Sequence, residues 1–367
     1  MFHGDLRHAR TVSDEMSPPL TLIWKGGTGG NVYSSPAIFD GILYVGSNDG
    51  NVYALDAKNG EKKWSYTTDF FVTSSPAISG GVVYIGSWDK NLYALDAKTG
   101  KLKWKREIGE VTASSPVVFD DRVYVGGGRS IYALNAIDGS IVWTFTTGSV
   151  ITSSPAIFNN TVYVGSWDKN IYALDAKSGD LRWSYATDDL VYSSPAIFDN
   201  AIIVGSADGN VYSLDVSDGE LKWKFPTGDA VYSSPAVSYG GSPVSRFVCD
   251  KPSGIFEIIR NVFKVDCKAT LFIGSADKNV YAMDIESGSL IWKFPTGDAI
   301  YSSPAVAGNN VFIGSNDKNF YMLDASDGSL KWSFETGDAV GSSPAIADGI
   351  VYVGSKDKNV YAFEGRR

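Results

Sequence analysis

The sequence predicts an all-β fold, an eight-bladed β-propeller of four-stranded antiparallel blades whose ring is closed by the N-terminal strand. The first observation is a repeat. Ser-Ser-Pro stands at 34–36, 74–76, 114–116, 153–155, 193–195, 233–235, 302–304 and 342–344, about 40 residues apart except for one longer step. Units of that length, made of four short strands, are what propeller blades require. The second observation is that the units end on a tryptophan, at Trp64, Trp104, Trp143, Trp183, Trp223, Trp292 and Trp332, except the eighth, which stops at VYAFEGRR. The third is that the missing strand lies at the other end of the chain, as LTLIWKG around Trp24. The two ends of a ring complete each other, whereas an open solenoid needs no such match.

Each element of the first unit follows from local pattern. Its strands read SSPAIF (34–39), ILYVGS (42–47), NVYALDA (51–57) and EKKWSYT (61–67). Apolar residues alternate along them as in half-buried strands, and Gly, Asn and Asp punctuate the gaps, leaving no room for a helix. The proline of each Ser-Ser-Pro suits the first residue of a strand whose free edge faces a central channel. The tryptophan of each fourth strand is expected to pack on the neighbouring blade, where its loss would cost about 3–5 kcal/mol. Together the units form one domain over 20–367, behind a lead-in over 1–19.

ALDAKNGEKKW (54–64), ALDAKTGKLKW (94–104) and ALDAKSGDLRW (173–183) resemble the tryptophan-docking motif of the pyrroloquinoline-quinone (PQQ) repeat family. That family includes quinoprotein alcohol dehydrogenases and the propeller lipoprotein of the bacterial outer-membrane β-barrel assembly machinery. The likeness covers about 20–364 apart from an insert, in eight units that keep register. For a dehydrogenase it implies PQQ above the channel, stacked on a tryptophan, with Ca²⁺, a catalytic Asp and often an adjacent cysteine pair. Trp88 or Trp167 would imitate the stacking floor and Arg129 a carboxylate partner. However, the chain has no Cys-Cys dipeptide and no CxxCH motif, its blades lack long loops, and no Glu/Asn/Asp set carries over. Fold alone does not license the activity. The expected function is therefore a non-enzymatic binding or scaffold module without a cofactor. The alternative is a quinoprotein-type dehydrogenase, or a degenerate propeller that binds PQQ with Ca²⁺. MFHGDLRHAR resembles the lead-in of exported relatives, so periplasm or cell surface is the expected compartment, although the N-terminus lacks the apolar core of a signal peptide.

Composition narrows the partners. A formal charge of −9 and a pI of about 4.8 argue against a nucleic-acid backbone. No apolar run is long enough to span a membrane. Two His and two Cys do not make a zinc cluster of the usual spacing. A protein or peptide partner, no metal and a monomer are expected.

Strand direction alternates through a blade, so the loops leading into each new blade share one face with the turns between second and third strands. We call this face upper. What every copy repeats there is architecture: Asp49, Asp89, Asp168, Asp208, Asp277, Asp317 and Asp357 of the GSxDxN turn read as Asx turns, not as a ring of cation ligands. What varies is the candidate site. The slot after Gly-Ser holds Asn48, Trp88, Trp167, Ala207, Ala276, Asn316 and Lys356, and a shortened GGGRS brings Arg129 in the third blade. The residue before Ser-Ser-Pro is Tyr33, Thr73, Ala113, Thr152, Tyr192, Tyr232, Tyr301 or Gly341. Two sectors are read from this. Phe70, Phe71, Trp88, Arg129 and Trp167 form one over blades two to four. Tyr192, Tyr232 and Tyr301, with Asp189, Asp229, Asp298 and Asp338, form another over blades five to eight. These aromatics and Arg129 are the candidate ligand-binding residues. Blades two and four are alike throughout, so duplication competes with contact as the reason for Trp88 and Trp167.

The insert, 239–270, interrupts blade six between its first two strands, on the lower face. Within it GIFEIIRNVFK (254–264) has apolar residues at helical spacing. Cys249 and Cys267, the only cysteines, bracket that segment, either as a disulfide or as two free thiols.

Overall fold

The computed structural model describes residues 11–12, 16–109, 113–239 and 268–366. Eight antiparallel sheets form the ring, and among the described residues there is no helix. The first blade runs outward through Ala37–Phe39, Ile42–Gly46, Asn51–Asp56 and Lys62–Thr67. Its inner strand begins one residue after Pro36, so the proline closes the entering loop rather than opening the strand. In the eighth blade Ala345–Ala347, Ile350–Gly354 and Asn359–Arg366 are completed by Ser17–Gly27. Trp24 lies opposite Ala362 just as Trp64 lies opposite Ala54, so the N-terminal strand takes the ordinary outer place and closes the ring.

One blade has more than four strands. Thr11–Val12 pairs in parallel with Ala305–Ala307, the inner strand of blade seven, with Thr11 opposite Val306. The insert leaves after Ala236–Tyr239 and returns at Ala269–Gly274, the junction predicted from the sequence. Its expected helix, with Cys249 and Cys267, lies outside the described residues.

Two devices join blade to blade. The indole N–H of Trp24 donates to Ala57 O at 2.9 Å, and Trp64, Trp104, Trp143, Trp183, Trp223 and Trp292 repeat the bond to the next blade's carbonyl at 2.9–3.2 Å. The ring of Trp64 lies over Gly100, where a Cβ would stand 2.7 Å from Cδ2 and where φ is +71°. Glycine is needed there twice over, for the left-handed turn and for the indole's approach. The second device is the repeated serine pair. The second serine of each pair donates its N–H to the Oγ of the next blade's second serine at 2.9–3.0 Å, from Ser35 to Ser75 and onward until Ser343 returns to Ser35. In six blades the first serine accepts from the glycine ending the second strand, as Gly46 N–H does to Ser34 Oγ, and in blade three from Gly126, one residue before the strand's end. The motif read as a strand start is thus also a closed belt of hydrogen bonds.

The eighth junction packs differently. The described residues offer the Trp332 indole no acceptor, and its ring packs instead on Phe334 and Phe363 at centroid distances of 6.2 and 5.2 Å. Phe363 stands where blade one has Leu55, and Met16 and Leu20 of the incoming chain are buried in the same cluster. Asn310 Nδ2 donates to Met16 O at 2.8 Å. Apolar and aromatic packing stands at this junction where the others have the indole hydrogen bond.

Candidate upper-face binding site

Each GSxDxN turn latches two blades. Asp89 accepts the Asn91 N–H at 3.0 Å, the Tyr93 hydroxyl at 2.6 Å and the Asp69 N–H of the incoming loop at 3.0 Å. The pattern recurs in the other six blades with this turn. The Asx-turn reading therefore stands, and these carboxylates are engaged by hydroxyl and amide donors. Burial by itself pushes the Asp89 carboxyl up, but the Tyr93 hydroxyl and the amide donors outweigh it, and the group sits below its ordinary value. Asp49, Asp208, Asp277 and Asp357 shift the same way. A depressed carboxylate stabilises the fold above its unfolded pKa and loses that contribution as pH falls through its folded value. The thermal midpoint should therefore drop steeply below about pH 4. Melting curves from pH 6 to 2 should show Asp89→Asn losing less over that range than wild type, and an equal loss would contradict the latch.

Above the latches, the two variable columns prove to be one. Trp88 Nε1 donates to Thr73 Oγ1 at 2.8 Å, and Trp167 Nε1 to Thr152 Oγ1 at 2.8 Å. These are the two blades with threonine before Ser-Ser-Pro. Where that residue is tyrosine, the turn slot is small: Tyr33 with Asn48, Tyr192 with Ala207, Tyr232 with Ala276, Tyr301 with Asn316. Six blades thus each place one aromatic ring at the upper mouth, from one position or the other. Blade eight has Gly341 and Lys356, whose ammonium lies 5.3 Å over the Tyr33 ring. Blade three turns tightly through Gly128 and Arg129, and the Arg129 side chain is exposed.

The structure redraws the two sectors. Trp167 stacks on Tyr192 at 6.1 Å, Tyr192 meets Tyr232 edge-on at 5.6 Å, and Tyr232 stacks on Tyr301 at 5.4 Å. Trp167 therefore belongs to the tyrosine arc, not with Trp88. Phe70, Phe71 and Trp88 form a separate exposed group, with centroids 4.4 and 6.5 Å apart. Burial raises the Tyr192 hydroxyl pKa, and the hydroxyls of Tyr232, Tyr301 and Tyr33 raise it further. Asp189, Asp229, Asp298 and Asp338 each accept the following N–H, and Asp298 pairs with Lys278 at 3.7 Å.

A family model described as outer membrane protein assembly factor BamB matches residues 21–129, 109–249 and 261–367. No curated protein matches the chain by sequence. Among solved structures, BamB from Moraxella catarrhalis aligns with a TM-score of 0.75 at 19% identity, over 95% of this chain and 99% of its own. Quinohemoprotein alcohol dehydrogenase from Comamonas testosteroni aligns at 0.73 and 18%, over 95% of this chain and 77% of that one. A europium-containing methanol dehydrogenase aligns at 0.77 and 15%, over 99% and 97%. At these identities the three share the fold.

Proposed function

The chain belongs to the family described as outer membrane protein assembly factor BamB, and from that premise we propose a non-catalytic binding or scaffold module in or beyond the cell envelope. Its docking face is the upper mouth. The observation that carries this reading is the delivery of one aromatic ring per blade from two interchangeable positions in six blades. A fold needs no such compensation at an exposed surface, whereas rigid amphipathic rings are what protein contacts use. Arg129 and Lys356 add positive charge to the mouth.

A quinone–calcium centre fits these residues poorly. The turn aspartates are engaged by tyrosine hydroxyls and backbone amides, and the rings of Trp167, Tyr192, Tyr232 and Tyr301 meet one another at the mouth. No three His, Cys, Asp or Glu side chains gather into a cation site among the described residues. Titration with PQQ and Ca²⁺, followed by tryptophan fluorescence and dye-linked alcohol oxidation, should show neither saturable quenching nor turnover. Both together would overturn the non-catalytic reading.

The docking face is tested by a photocrosslinking residue at position 88 or 167, compared with one at Lys222 on an outer strand. The mouth positions should capture a discrete protein that Lys222 does not. Trp88→Ala with Trp167→Ala should bind that protein more than tenfold more weakly with a nearly unchanged melting temperature. Binding as tight as wild type would defeat the assignment.

A further inference from the structure

On the lower face, the groove between neighbouring blades is covered in three blades by a phenylalanine that ends the inner strand, whereas Phe39 of blade one is exposed and blade six has Ser238 at this place. Phe119, Phe158 and Phe198 fill this place in blades three, four and five, each packed against the core it shares with the next blade. In blade seven the residue is Ala307, and Met16 of the incoming chain fills the space instead. Blade two has Ser79 followed by Gly80 and Gly81. Between blades two and three a cavity of about 500 Å³ remains, with Val82, Tyr84, Val118 and Ala136 in its lining. At its lip Ile137 is 81% exposed, where blades one, two and four carry Lys58, Lys98 and Lys177. Beside it on the same blade lie Asp120 and Asp121, whose turn is tied to the neighbour of Ile137 by the Ala136 N–H donating to Asp121 O at 2.9 Å; both are exposed and unpaired by any cation of the described residues. Lys103 on the remaining wall is held 3.9 Å from Asp96.

We propose that this groove docks an extended partner segment that inserts one bulky apolar side chain and sets a basic residue beside Asp120 and Asp121. The molecule shows what such a groove accepts, since Met16, just ahead of the strand Ser17–Gly27, is buried in the blade-seven counterpart with its carbonyl held by Asn310. A volume of this size is that of an ordinary ligand pocket. An exposed isoleucine where sister blades have lysine adds apolar surface that covering would remove from water. The two carboxylates select a cationic neighbour over an anionic one. This surface is independent of the upper mouth and survives the failure of that assignment.

The probes are the capped peptides Gly-Lys-Trp-Lys-Gly, Gly-Glu-Trp-Glu-Gly and Gly-Lys-Ala-Lys-Gly, read by chemical-shift changes of the full chain. The lysine–tryptophan peptide should bind saturably, and at least tenfold tighter than either of the others. Ser79→Phe and Ile137→Lys borrow residues from sister blades, so both should melt as wild type while weakening the peptide tenfold or more. Asp120→Asn with Asp121→Asn keeps side chains that tolerate the left-handed turn and should weaken it at least threefold. No saturation up to millimolar peptide, equal binding of the glutamate peptide, or unchanged affinity in Ser79→Phe overturns the proposal.

Discussion

Deleting residues 1–27 abolishes cooperative folding of the whole ring, rather than fraying one blade. The segment supplies the strand that pairs with Asn359–Arg366, the indole that bonds Ala57 across the seam, and Met16 and Leu20 of the core shared by blades seven and eight. In an open repeat array the loss of one end weakens one end. In a ring it exposes both partners of the broken junction, with an unpaired edge along 359–366. Burial of the tryptophan alone is worth about 3–5 kcal/mol, against a total of about 5–15 kcal/mol for a typical fold. Circular dichroism of the truncated chain should show no single sharp melting transition, and a synthetic peptide of residues 11–30 should restore one. An unchanged transition would mean that the strand decorates the ring instead of closing it.

The ring, its blade number and its closing strand were legible because each is stated many times over in the sequence. Repetition also separated the turn aspartates from chemistry, and the Tyr93 hydroxyl on Asp89 shows why all seven are kept. The grouping of the aromatics was not legible from the columns taken singly. Read jointly they carry a signal, a large residue in one column against a small one in the other, which identifies Trp88 with Thr73 and Trp167 with Thr152 as contacts. Duplication explains why blades two and four resemble each other, but it does not explain Tyr192 facing Ala207 in an otherwise similar blade. The place of Met16 had no sequence signal. It depends on a vacancy left by Ala307 nearly three hundred residues away, and only the closed ring brings the two together.

The same logic of a damaged seam separates the docking tryptophans, which the sequence presents as equivalent. Trp64→Ala should destabilise by about 3–5 kcal/mol, since a buried indole is removed and the Ala97 carbonyl loses a donor. Trp64→Phe keeps most of the apolar volume but not the hydrogen bond, so it should still cost roughly 1 kcal/mol or more. Trp332 should not follow this pattern. It is half-buried, it has no indole acceptor among the described residues, and its neighbours Phe320, Phe334 and Phe363 already form an aromatic cluster. A phenylalanine there meets the same surroundings, so Trp332→Phe should lie within about 0.5 kcal/mol of wild type. Urea unfolding of the three variants at one pH measures the contrast directly. If Trp64→Phe and Trp332→Phe lose equal stability, the indole hydrogen bond is not what distinguishes the seven complete junctions from the seam.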